Sequence, residues 1–283
     1  MMAEIPVNEI FSIAAALLFA GAITGLLAGL FGVGGGTVIV PVLYELFQYQ
    51  GVPDEIRMPL CVGTSFAIII PTSIRSFRTH YAKGAVDMAI LRAWVLPILI
   101  GVSIGAVIAR FGSEFLFKSI FSVVIFFMSL RLIFGKETWR LGADLPKGFL
   151  MSLYGSIIGL ISSLMGIGGG QLCNLVMSLY NRPIHQAVAT SSGVGTLIAI
   201  PGAIGYVIAG WPISYQYPHI AALQFPLSLG YVSLLGFLLL SPTSILLAPL
   251  GARIAHKLSK RTLEISFGCF LLFVCLRFIY SLL

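Results

Sequence analysis

The chain has 283 residues, of which 58% are hydrophobic and only 10% charged, against roughly a quarter charged in soluble domains. With a mean hydropathy of +1.01, that composition excludes a soluble protein and places the chain in a membrane. The net charge of +7 does not signal a nucleic-acid partner, because the Lys and Arg residues lie in short loops between apolar runs, where membrane proteins carry their orientation signal.

Read from the start, the first apolar run covers 10–31. It is preceded by Glu4 and Glu9 and by no Lys or Arg, so it lacks the basic region of a cleaved signal peptide and is expected to be retained. It ends in Gly29-Leu-Phe-Gly-Val-Gly-Gly-Gly-Thr37. Each glycine inside a helix costs about 1 kcal/mol relative to alanine, so this cluster predicts a break. A short run, 37–47, follows it. Longer runs come at 58–74, 88–109 and 115–134, each of about the 20 residues that cross a ~30 Å hydrocarbon core. After a charged loop at 136–147, the second part begins with 148–165, breaks at Gly166-Ile-Gly-Gly-Gly170, restarts at 171–180, and continues with 187–209, 225–250 and 263–282. Cys61, Cys173, Cys269 and Cys275 sit inside apolar runs without metal-ligand spacing, so neither a disulfide frame nor a metal or other cofactor is expected.

The two parts repeat one another. A shift of 134 lays Gly25–Gly36 on Gly159–Gly170 with seven of twelve positions identical; a shift of 126 lays Thr64-Ser65 on Thr190-Ser191; a shift of 146 lays 105–109 on 251–255. The expected organisation is therefore a first transmembrane repeat over 1–135, a connecting loop over 136–147 and a second repeat over 148–283, the construction common in secondary transporters. If each glycine-broken pair enters and leaves on the same side and three crossings follow it, thirteen Lys and Arg fall on one face and four (Arg57, Arg110, Lys118 and Arg277) on the other. The positive-inside rule then makes the basic face and the 136–147 loop cytoplasmic and puts both termini outside a cell inner membrane. Three crossings per half make the repeats inverted. The expected fold is an all-α polytopic membrane protein of two inverted repeats, each a Gly-broken re-entrant helix pair plus three transmembrane helices, about eight long helices in total. Charge parity is the same if the broken pairs cross fully.

Broken helices inside a bilayer must be enclosed by protein or line a polar cavity. A helix that restarts there presents its first N–H groups and the positive end of its dipole, which bind anions. Candidate ligand groups are Gly34, Gly35, Gly36 and Thr37 at the first break, and Gly168, Gly169, Gly170, Gln171 and Asn174 at the second. The hydroxyls of Thr64, Ser65, Thr190, Ser191 and Ser192 stand about two turns away on neighbouring helices. Tight helix packing is the competing account of the glycines, and bonding to their own backbone is that of the hydroxyls. The halves differ where Gln171 replaces Thr37, Leu175 replaces Pro41 and Ser192 replaces Phe66. The central parts of the runs hold no Asp or Glu, and the histidines fall at loops or run ends, so no enzyme is expected.

GLFGVGGGTVIVP near the start, VGTSFAIIIPTSI with the following HYAKGAVD, and GLISSLMGIGGGQ with ATSSGVGT in the second half resemble the TauE/SafE family of sulfite exporters and related permeases, over essentially the whole chain. The resemblance implies transport of sulfite, sulfonates or other organosulfur anions. The expected partners are a small-molecule anion and the lipid bilayer; a homo-oligomer stays open. Export is the favoured direction, because an inside-negative potential drives an anion outward by about 2.3 kcal/mol per 100 mV without a coupling ion. Ion-coupled uptake of an organic anion is the alternative.

Overall fold

Helix ends follow the polar and conformationally special residues of the sequence. The computed structural model describes residues 7–31, 35–135, 140–142, 144–211, 227–255 and 257–282. Among them are ten helices: α1 (Val7–Phe31), α2 (Gly36–Tyr49), α3 (Asp54–Ala82), α4 (Met88–Phe111), α5 (Glu114–Phe134), α6 (Phe149–Met165), α7 (Gly170–Leu179), α8 (Ile184–Ala209), α9 (Leu234–Ala255) and α10 (Lys260–Tyr280). The Asp87 carboxylate accepts from the N–H groups of Ala89 and Ile90 to start α4. Ser113 and Ser259 do the same for α5 and α10 through Leu116 and Thr262, which satisfies amides that a helix start leaves open.

Among the described residues, six helices (α3, α4, α5, α8, α9 and α10) are long and apolar enough to cross a membrane. They fall three in each half of the sequence; among the described residues α1 and α6 carry shorter apolar stretches, Ala14–Leu30 and Phe149–Met165, and α6 stops where Gly166 turns into the left-handed region at φ 68°. With 14 and 10 residues, α2 and α7 reach only about 21 and 15 Å at 1.5 Å per residue, short of a full crossing. The 225–250 run is also not one helix. Within it, β1 (Ser228–Leu229) and β2 (Val232–Ser233) form an antiparallel hairpin, Ser228 opposite Ser233 and Leu229 opposite Val232. Gly230, at φ 52°, makes its turn, and the buried Tyr231 donates its N–H to Tyr206 O at 3.1 Å.

The centre is the antiparallel pair α3 and α8. Phe66 lies against Gly202, Thr196 donates to Ser73 at 3.3 Å, and Gly193 faces Phe77. Around it, α1 packs along α9, α4 along α6, and α5 along α10. Two of these crossings are stripes of small residues. Gly21, Gly25 and Gly29 of α1 meet the backbone of Leu240, Ser244 and Ala248, and Gly155 and Gly159 of α6 meet Trp94, Pro97 and Ile98 of α4. Bare backbone lets two helices approach closely where lipid supplies no hydrophobic drive between them. The repeat shifts carry α1 onto α6 and α9 onto α4, so one pair reproduces the other, with partners taken from opposite halves of the sequence.

The short helices end at opposite ends of α5. The Tyr44 hydroxyl near the end of α2 donates to Glu114 at 2.9 Å, at the start of α5. Ser178 at the end of α7 accepts from Arg131 at 3.0 Å, near the end of α5. Their other ends meet midway: a Cβ on Gly36 would stand 2.5 Å from Ile167 Cα and 2.8 Å from Gly166 O.

A branched side chain at the small-residue crossings should push two backbones apart. We expect Gly25→Val and Gly159→Val each to lower stability by about 1–3 kcal/mol or more, read as an earlier thermal unfolding transition in detergent.

Candidate functional site

The second glycine break is a chain turn with a row of unengaged amides. Gly166 ends α6 with its N–H on Ser162 O at 2.9 Å, and its own carbonyl accepts the Ser65 hydroxyl at 2.7 Å. Gly168 and Gly169 follow at φ 63° and 69°, a backbone that a side chain would strain. The first bond of α7 is Cys173 N–H to Gly169 O at 2.9 Å. The N–H groups of Gly168 to Leu172 therefore make no hydrogen bond within the described chain. Free amides and the positive end of the α7 dipole at one place favour negative charge.

A cavity of about 120 Å³ lies against this turn. Gly168, Gly170 and Asn174 line it from the hinge, Thr72, Ser73 and Ser76 from α3, and Ser191, Ser192 and Gly195 from α8, with Ile69, Ile167 and Val188 as the apolar wall. Four of its hydroxyls already donate to their own helices: Thr72 to Ile69 O at 2.8 Å, Ser73 to Ile70 O at 3.1 Å, Ser191 to Val188 O at 2.9 Å and Ser192 to Ala189 O at 2.6 Å. Such hydroxyls can turn to a ligand at the cost of a bond the helix does not require. The Asn174 side chain is not so engaged, and its Oδ1 is buried without a partner. No Asp, Glu, Lys, Arg or His is among the lining residues.

The structure separates the sequence-predicted residues into three groups. Gly168, Gly170, Asn174, Ser191 and Ser192 line the cavity, with Gly169 behind them against Ile198 and Ser162. Gly36, Thr37, Ser65 and Gln171 join the two breaks. Gln171 Nε2 donates to Thr37 Oγ at 3.1 Å, between positions 134 apart, so the two repeat-equivalent residues touch each other. Gln171 Oε1 is left buried without a partner. Thr64 and Thr190 hold incoming chain: Thr64 Oγ accepts from the N–H of Ser233 just before α9, and Thr190 Oγ from the N–H of Asp87 just before α4, both at 2.9 Å. Gly35, at φ 89°, caps α2 by accepting from Val38 and Ile39 at 2.9 and 2.8 Å. Gly34 lies outside the described residues, as do 136–139 and 143 of the connecting loop.

Sequence reading missed Thr72, Ser73 and Ser76. Their signal was present, three hydroxyls spaced to share one face of α3 directly after Pro71. No group of three or more His, Cys, Asp or Glu side chains among the described residues could hold a metal ion.

The profile of the family described as sulfite exporter TauE/SafE matches residues 17–278, nearly the whole bundle and all of the described cavity. The chain belongs to the TauE/SafE family. A probable membrane transporter protein of Haemophilus influenzae is 32% identical over 262 residues, covering 92% of this chain and 95% of that one. Probable membrane transporter proteins of Methanocaldococcus jannaschii (MJ0441) and Bacillus subtilis (YunE) are 29% and 25% identical, over 88% and 94% of this chain and 89% and 97% of theirs. No solved structure matches the chain. As a TauE/SafE protein, the chain is a multi-pass membrane protein of a transporter family, in contact with lipid through its apolar helices.

Substitutions should separate packing from binding. A Cβ on Gly170 meets nothing within 4 Å, so Gly170→Ala should keep the unfolding temperature while its methyl takes up cavity space and reduces the stabilisation a bound anion gives. Ser65→Ala should instead cost about 0.5–1.5 kcal/mol of stability, the net worth of its bond to Gly166. Ser191→Ala should leave stability nearly unchanged and weaken the anion response; thermal shift with and without anion reads all three.

Proposed function

We propose that the chain exports a small sulfur-containing anion, sulfite, a sulfonate or a related organosulfur compound, and binds it in the cavity at the second glycine break. The observation that carries this reading is the run of unengaged amides from Gly168 to Leu172 beside a small cavity of hydroxyls and one carboxamide. Amides, hydroxyls and an Asn side chain suit the oxygens of a sulfonyl or sulfite group, and a neutral wall holds one negative charge without an ion pair to break on release. The printed family name points to the same substrates. Export needs no coupling ion, and no carboxylate lines the cavity to carry a proton.

The same reading takes the chain as two inverted repeats, 1–135 and 148–283, with α1–α2 and α6–α7 as re-entrant pairs. It is supported by the ends of α2 and α7 at opposite ends of α5 and by the contact of Thr37 with its repeat mate Gln171. The face with Arg75, Arg78, Arg131, Arg182 and Arg261 is then cytoplasmic, both termini are outside, and the cavity, set toward the Ala82 end of α3, lies nearer the cytoplasm.

Purified protein in liposomes with an imposed potential should carry radiolabelled sulfite or a short alkanesulfonate toward the positive side without a proton or sodium gradient. Accumulation that appears only when such a gradient is applied would turn the assignment to uptake. Orientation is read separately. A cysteine placed at the exposed Leu141 of a cysteine-free chain should resist impermeant thiol reagents added to intact cells.

A further inference from the structure

The cavity has a twin position in the other half, and the twin is filled. Applying the repeat shifts to its lining turns Asn174 into Val40, Thr72 into Ile198, Ser73 into Ala199, Ser76 into Gly202 and Ser192 into Phe66. The shift over α3 and α8 also maps one backbone bond onto another: Thr64 accepts the amide that precedes α9 and Thr190 the amide that precedes α4. Each of these five polar groups becomes a hydrocarbon or a bare glycine, and Ser191 becomes Ser65, whose hydroxyl is spent on Gly166 O. Val40, Phe66, Ile198 and Ala199 are each 0% exposed. The Phe66 ring lies on Gly202, where a Cβ would stand 3.0 Å from its edge, and meets Tyr206 edge-on at 5.8 Å between centroids. The Tyr206 hydroxyl is fixed on Ser163 O at 2.9 Å.

The two positions sit on opposite sides of the middle of α3 and α8. The cavity lies toward the Ala82 end of α3 and the Ile184 end of α8, and the Phe66 contact toward the other two ends. Phe66 thus stands between the cavity and the far ends of the two helices. The ring is held on bare backbone by packing alone, whereas Tyr206 is tied down by its hydroxyl. We propose that Phe66, seated on Gly202 at the twin of the cavity, closes the passage to the far face, and that its ring leaves Gly202 for an anion to cross. This rests on the reading of the chain as a transporter with its site at the second break.

The test uses the full chain without its native cysteines, carrying Val188→Cys in the apolar wall as a reporter in the cavity, in right-side-out and inside-out membrane vesicles. With Phe66 in place, an impermeant thiol reagent should label the reporter from the cavity face only. Phe66→Ser, which copies the residue of the other repeat, should give labelling from both faces. Phe66→Leu, which keeps an apolar contact should the serine variant not fold, should give slower labelling from the far face. Phe66→Trp should keep labelling one-sided and slow the flux. One-sided labelling in the serine and leucine variants alike overturns the proposal, as does labelling from both faces with Phe66 present. Methanesulfonate separates the two readings. If it slows labelling of the reporter while Phe66 variants stay one-sided, the site stands and the gate falls. If Phe66 variants open the far face while methanesulfonate neither protects the reporter nor crosses the membrane, the gate stands and the substrate assignment falls.

Discussion

An amide that leaves a helix inside a bilayer has no water to turn to, and the whole architecture answers to that constraint. Each glycine break exposes several such groups, so the breaks persist only where protein surrounds them. The chain supplies that enclosure by seating one break on the other, Gly36 against Ile167, and by setting α3 and α8 across both. Ser65 takes the Gly166 carbonyl and Gln171 reaches Thr37, while the amides from Gly168 to Leu172 find no partner within the described chain. Close approach of the flanking helices makes this possible. The glycine stripes of α1 and α6 bring backbone to backbone, where larger side chains would leave gaps around the breaks.

Charge is handled differently from the amides. At one end of the bundle, Arg57 and Lys118 are buried and share Glu114 and Tyr44: Lys118 lies 2.8 Å from Glu114, Arg57 donates to Tyr44 at 3.1 Å and to Val52 O, and Arg57 also pairs with Asp54. Both cations lie over the Tyr44 ring. Leaving one buried charge unpaired costs several kcal/mol, so this closed set fixes the end of α2 against α3 and α5. The cavity contains none of this. Its polar lining groups are neutral dipoles, with no charged side chain among them.

Much of the fold was legible in the sequence because bilayer thickness leaves one reading of a long apolar run. The 88–109 and 148–165 runs became Met88–Phe111 and Phe149–Met165 with ends shifted by a residue or two. The repeat was legible because glycine breaks are rare enough to align. The run at 225–250 misled because Ser228–Ser233 is apolar enough to extend a helix and is instead bent into a hairpin by Gly230 and held by Tyr206. The site was half legible. Glycine and hydroxyl positions could be found, but which hydroxyl lines the cavity and which meets a backbone amide depends on the partner helix. Thr64 and Thr190 look like Ser191 in sequence and differ from it only because α9 and α4 deliver an amide to them. The inequality of the two hinges was legible too, in Phe66 opposite Ser192, but where that ring packs, on Gly202, is a matter of the partner helix.

The pairing of α1 with α9 and of α4 with α6 also bears on how the chain is made. Helices of a bundle usually find partners among their near neighbours in sequence, whereas the glycine stripe of α1 meets a helix that emerges almost last. Until α9 arrives, that stripe has no counterpart, and the first break has only part of its enclosure. Contacts between such distant segments close late and slowly, so the nascent first half spends most of synthesis with bare backbone that lipid satisfies poorly. Neither half can bury its own stripes, so each half completes its packing only with a helix of the other.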